Sequence, residues 1–213
     1  TGVRWPVVDE LVLWINDAQR EIALLKPDAS ATNATVTLAT GTKQDIPSGG
    51  NRLLRVVRNM SAASSGTGKR SVRVVDREVL DAQSPDWHDP TVAGDAAHTT
   101  IVKHYVYDDA NPRNFYVYPG VAGNAYLEII YSSNPAAVAQ NANLSIPDIF
   151  ANAVMNYVLY MAYMKDAEYA GNAERASTHY TLFTNSVMGK GMIDTSTSPN
   201  LDTRQPLPIM GRS

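Results

Sequence analysis

The placement of proline constrains this chain most, because each proline fixes one backbone dihedral and removes one backbone donor. Seven of the twelve prolines lie between Pro27 and Pro135, and none lies between Pro147 and Pro199. The middle of the chain is therefore a region of turns, and long uninterrupted helices belong to its last third. Hydrophobic spacing agrees. From Pro6 to Leu25 the residues Val7, Leu11, Ile15, Ala18, Ile22 and Leu25 recur at three- and four-residue steps, one helical stripe. Pro6 suits its first turn, Asp9 and Glu10 suit its positive end, and Lys26-Pro27 stops it.

Between residues 30 and 143 the period changes to two. Thr35 to Leu38, Leu53 to Val57, Val72 to Val75, Ile101 to Tyr107, Phe115 to Tyr118 and Tyr126 to Tyr131 read as strands. Short strands at this spacing predict an antiparallel sandwich or barrel, with Asp76 to Gln83 as one short helix. Pro147 then opens a second helix, apolar nearly all round, so both of its faces are expected to be covered. Gly171-Asn172 turns the chain into a third helix with the stripe Ala173, Ala176, Tyr180, Phe183 and Val187. The expected fold is α+β: a helical bundle from residues 1–29 and 145–190, an inserted β domain at 30–144, and an extended arm at 191–213. The arm is rich in Ser, Thr, Pro and Gly yet carries Leu201, Leu207, Pro208, Ile209 and Met210. It reads either as a solvated terminus or as a segment that folds onto a partner.

Composition narrows the function. At 44% hydrophobic the 213 residues can bury a core, and a net charge of −3 argues against a bulk-cationic nucleic-acid binder. Without cysteine there is no disulfide framework, thiolate zinc site or cysteine nucleophile. The most apolar run, Val154 to Met164, is about half the ~20 residues of a bilayer span, so no membrane contact is expected. Ser64 to Arg70 brings a phosphate loop to mind, but Ala63 and Arg70 stand where that pattern needs Gly and Ser or Thr; a hairpin loop is expected. His98 and His104, with Asp86-Trp-His-Asp89, are weak metal candidates lacking the three or four converging ligands of a site, and His179 is expected at a surface or between helices. No nucleophile elbow or marked carboxylate pair points to catalysis. Neither enzyme activity nor a cofactor is expected.

Charge is distributed unevenly. Residues 52–77 hold Arg52, Arg55, Arg58, Lys69, Arg70, Arg73 and Arg77 against Asp76 alone; residues 78–128 hold eight acidic residues against Lys103 and Arg113. Three readings follow, in order of preference. Neighbouring strands neutralise each other within one subunit; a basic face meets the next subunit's acidic face in a head-to-tail ring; or the arginines touch DNA phosphates.

Gly2-Val-Arg-Trp-Pro with Trp14-Ile-Asn-Asp-Ala-Gln-Arg-Glu-Ile22, Phe115-Tyr-Val-Tyr-Pro119, Leu127 to Pro135, and Lys165 to Ala173 span nearly the whole chain. In these stretches the sequence resembles the head-to-tail adaptor proteins of tailed bacteriophages, of the tail tubular protein A type. The resemblance implies a non-enzymatic virion protein of the neck, assembled in the host cytoplasm. It implies a ring of copies, usually twelve, between the portal protein and the tail nozzle protein, with genomic DNA passing through the channel. Family members carry another helix before the Arg-Trp-Pro segment, so residues upstream of Thr1 are expected. The partner-contact candidates are Arg52, Arg55, Arg58, Arg70 and Arg73 with the arm residues Leu201, Leu207, Pro208, Ile209 and Met210. A receptor- or carbohydrate-binding β module on a helical stalk is the alternative, suggested by eleven tyrosines; a hydrolase marked by carboxylates converging in a cleft is a third.

Overall fold

A computed structural model describes residues 5–64 and 66–196. The chain divides into two compact units: the described residues of Thr1–Lys26 and Pro135–Ser213 make one, and Pro27–Asn134 makes the other. The architecture is α+β, as the change of period indicates.

In the helical unit a π-helical turn, Val7–Leu11, leads into α1, Val12–Leu25. Ala18 and Ile22 of the expected stripe are fully buried, and the polar Asn16 and Gln19 are buried with them. These two make the bonds that hold the irregular segment after Pro135. Asn16 Nδ2 donates to the Val138 carbonyl at 3.1 Å, and its Oδ1 accepts from Val138 N at 2.8 Å. Gln19 Oε1 accepts from Ser145 N at 2.7 Å and from Ser145 Oγ at 2.9 Å. Helix-bound amides thus supply the backbone partners that a segment without secondary structure lacks.

Helices α3, Ala151–Lys165, and α4, Asn172–Ser196, pack through an aromatic seam. Tyr157 meets Phe183, Tyr160 meets Tyr180 and Tyr163 stacks on His179, a descending series that makes the two helices antiparallel. His179 also bonds Asn156 through Nδ1 at 3.0 Å. α4 runs through Gly189 and Gly191, so residues 191–196, expected in the arm, are helical. Glycine costs a helix only about 1 kcal/mol each. Here the Lys190–Asp194 pair within the helix and the Lys26–Asp194 bridge to the end of α1, at 3.1 and 2.9 Å, hold the last turns.

The other unit has two four-stranded sheets. The first has the order β1 (Ala31–Thr37), β8 (Tyr126–Ser133), β3 (Gly50–Met60), β4 (Gly68–Ser71). The second has the order β2 (Gly41–Asp45), β7 (Asn114–Val121), β6 (His104–Tyr107), β5 (Arg73–Val74). Leu53, Val56, Leu127, Ile129 and Tyr131 from the first sheet share one core with Phe115, Val117 and Val121 from the second, the packing of a sandwich. β2 escapes the periodicity because its buried residues are polar: Gln44 bonds Ala39 N and O at 2.8 Å and the Gly41 carbonyl at 3.1 Å.

The sheets are not wholly antiparallel, a correction to the expected fold. β5 pairs with β6 in parallel, Arg73 opposite His104 and Val74 opposite Tyr105. A parallel pair requires a crossover, and residues 75–103 supply it. That segment holds α2, Arg77–Gln83, and with Leu80, Trp87 and Ala96 it builds a second core against Val106 and Tyr118 of the second sheet. The loop between β3 and β4, where the phosphate-loop pattern fell short, closes a hairpin: Ser61 Oγ accepts from Thr67 N at 2.7 Å.

Candidate interaction surfaces

The arginine spacing of three has a structural cause. In a regular strand Arg52, Arg55 and Arg58 would alternate between faces. β3 instead shifts register against β8 three times, skipping Asn51, Leu54 and Val57, so that Arg52, Arg55 and Arg58 stand opposite Ser132, Ile130 and Glu128. Each shift is a β-bulge that adds one residue. Gly50, Leu53, Val56 and Asn59 consequently face inward and all three arginines share the other side.

Two of the three are neutralised within the unit. Arg58 Nε donates to Glu128 Oε2 at 2.6 Å, and its guanidinium lies over Gly68, where a Cβ would come within 2.6 Å of Nη1. Asn33 and Arg58, both donating to Glu128, hold that carboxyl below the ordinary range. Arg52 pairs with Asp109 at 3.0 Å, and Arg77 with Asp81 at 3.4 Å. Arg55, Lys69, Arg70, Arg73 and Lys103 have no ion pair among the described residues.

The last three of these gather at one end of the β5/β6 pair. Buried Asn59 organises the backbone there: its Nδ2 donates to the Arg70 carbonyl at 2.9 Å and to the Val102 carbonyl at 2.8 Å, while its Oδ1 accepts from Val102 N at 2.8 Å. Strand register then sets Arg73 opposite His104, next to Lys103. Burial, then the charges of Arg70, Arg73 and Lys103, push the His104 pKa down. The unfolded chain therefore takes up that proton first. Stability from this group is fully present above the ordinary value of 6.5 and falls as pH drops below it. Burial followed by Arg77 shifts His88 the same way. The midpoint of urea unfolding is expected to be lower at pH 5.5 than at pH 7.5. His104→Gln is expected to flatten that dependence, and an unchanged pH profile in the variant would refute the assignment.

At the opposite end of the same two strands lies a cavity of about 620 Å³, lined by Val74, Val75, Asp76, Arg77, Glu78, Val106, Tyr107, Asp108, Asp109 and Tyr116. Its four carboxylates are all exposed. Asp76 accepts from Glu78 N and caps α2, Asp108 accepts from Ala110 N, and Asp109 pairs with Arg52. All four are solvated, and three of them, Asp76, Asp108 and Asp109, are engaged in structural bonds. The arrangement is suited to binding cations.

The histidines named as metal candidates are not brought together on one strand. His98 lies in the crossover with its ring against Gly120, and His104 stacks on Tyr118. Among the described residues no group of three or more His, Asp or Glu is placed to hold a metal ion, and no helix is long and apolar enough to cross a membrane. Leu201, Leu207, Pro208, Ile209 and Met210 lie outside the described residues. The sequence reading missed the uncovered apolar surface of the helical unit. Leu24 is 74% exposed, Ile149 64% and Met192 76%, with Leu13, Met155, Leu182, Met188 and Ile193 also exposed. α3, expected to be covered on both faces, leaves Met155 and Met164 in solvent.

Opposed charged ends, exposed apolar side chains on the helices and an open acidic cleft are the surface features of the described residues. The family comparison gives the class of protein that bears them. The model of the SU10 adaptor protein family matches residues 1–204, and the chain belongs to this family. It is accordingly a structural adaptor of bacteriophage, a virion component that associates with other capsid or tail parts. No curated protein matches the chain.

Proposed function

We propose that the chain is a non-enzymatic head-to-tail adaptor of the tail tubular protein A type. Twelve copies form a ring between portal and tail nozzle, in the virion neck, and line the channel through which DNA is ejected. The observation that carries this reading is the set of large apolar side chains left exposed on α1, α3 and α4, among them Leu13, Leu24, Met155, Leu182, Met188, Met192 and Ile193. Extensive exposed apolar surface marks contacts with other chains. A net charge of −3 suits a channel wall, since phosphates are not trapped by it. The tyrosines favour the same reading over a carbohydrate-binding module. Tyr118 and Tyr131 are buried in the β unit, and Tyr157, Tyr160, Tyr163 and Tyr180 form the helix seam; of the eleven, Tyr107 and Tyr116 line the open cavity.

The test is negative-stain imaging and mass measurement of the purified protein, alone and mixed with a portal ring. A closed annulus is expected, and a chain that stays monomeric in both samples would end the reading. Residues 197–213, with Leu201, Leu207, Pro208, Ile209 and Met210, act in this scheme as an arm that engages the portal. Truncation after Ser196 is expected to leave thermal unfolding unchanged while reducing portal docking at least tenfold. Full docking by the truncated chain would remove the arm from the proposal.

A further inference from the structure

The β5/β6 pair carries opposite charges at its two ends. Because the strands are parallel, their N-terminal ends lie together and hold Arg70, Arg73, Lys103 and His104; their C-terminal ends hold Asp76, Glu78, Asp108 and Asp109. Arg73 and Asp76 are three residues apart on extended chain, about 10 Å. That is near one screening length in physiological salt, so the two ends act as separate poles. The basic pole has no carboxylate partner among the described residues. Its backbone is held in place by the three hydrogen bonds of Asn59.

The acidic pole is shaped to receive what the basic pole presents. Its cavity of about 620 Å³ has tyrosine rings as well as carboxylates in its walls. Arg77 of the cavity wall shows the same combination: its guanidinium lies 5.5 Å from the Tyr116 ring centroid while its Nε reaches Asp81 of α2, a carboxylate outside the cavity lining. Planar guanidinium groups combine ring stacking with carboxylate pairing in this way.

We propose that the acidic cavity at the C-terminal end of β5/β6 receives Arg70 and Arg73 from the basic end of a second copy. The contact is heterologous, since two different patches of one chain meet, and a pair of copies keeps one unused pole of each sign for further copies. This inference rests on the ring reading above and names a contact within it. Charge complementarity selects a second copy as the occupant, because the chain itself bears both halves of the match.

Charge reversal tests it. Arg70→Glu with Arg73→Glu, and separately Glu78→Lys with Asp108→Lys, are made in the full chain, and their fold is checked by circular dichroism. Association is followed by sedimentation velocity at low and high salt. Each double variant is expected to associate at least tenfold more weakly than wild type at low salt. The quadruple variant restores association, and so does an equimolar mixture of the two double variants, because in both every reversed pole meets a reversed partner. Wild type associating while the double variants associate equally well overturns this contact and leaves the ring standing. Wild type that never associates, at any concentration, overturns both. A duplex oligonucleotide retained by wild type and lost in Arg70→Glu/Arg73→Glu, with association unchanged, assigns the basic pole to phosphates and also overturns the proposal.

Discussion

Trp87→Ala is expected to lower the stability of the β unit by about 3–5 kcal/mol, the range for emptying a fully buried aromatic site. Trp87 has no solvent exposure. It stands edge-on to Tyr116 and Tyr118, with both ring centroids at 6.3 Å, and packs in the core that joins the crossover to the second sheet. Its Nε1 donates to Asp81 Oδ1 at 2.8 Å, the first cause of that carboxyl's lowered pKa. Alanine loses the packing and the donor together, and the remaining contacts of Leu80 and Ala96 are too small to hold the segment. Trp87→Phe keeps most of the volume and loses the N–H, so its cost is expected near 1–2 kcal/mol, roughly one hydrogen bond plus imperfect filling. Urea titration of the three proteins measures this. Equal midpoints for Trp87→Ala and wild type would show that the crossover does not depend on this ring.

Asn59→Leu is the second large expectation, about 3 kcal/mol or more, and its mechanism is opposite: volume is kept and hydrogen bonds are lost. Asn59 is 2% exposed, and its carboxamide serves the Val102 N–H, the Val102 carbonyl and the Arg70 carbonyl. Leucine leaves all three without their partner in a region closed to water, and each buried orphan costs about 1–3 kcal/mol. Thermal unfolding reads the loss directly. Faster amide exchange at residue 102 in the native state is the specific sign, since a general loosening of the core would not single out that amide.

These two residues illustrate how far the chain could be read before its structure. Trp87 sat in Asp-Trp-His-Asp, where the carboxylates and imidazole drew attention as weak ligands. It is instead the ring between them that matters, because a segment with few apolar residues relies on one large side chain to bury it. Asn59 carried no signal, since a buried asparagine is recognisable only when its backbone partners, 11 and 43 residues away, are known. Asn16 and Gln19 fall within the stretch that resembles phage adaptors, yet their task of holding Val138 and Ser145 depends on contacts 122 and 126 residues distant. The arginines were legible as a charge block. That three of them share one side was not, because a spacing of three contradicts the strand period unless bulges intervene.

Local chemistry alone determined the order of helix, sheet and helices, the start of α2 at Asp76, the buried stripe of Ala176, Phe183 and Val187, and membership in a phage adaptor family. Proline placement, capping and hydrophobic period act over a few residues, so the chain carries them in readable form. Only the tertiary structure decided the parallel β5/β6 pair, the bulged register of β3, the run of α4 to Ser196 and the separation of unpaired cations from the acidic cavity. Each of those depends on which distant groups meet, and the free energy of such meetings resides in pairs of residues that no short window of sequence contains.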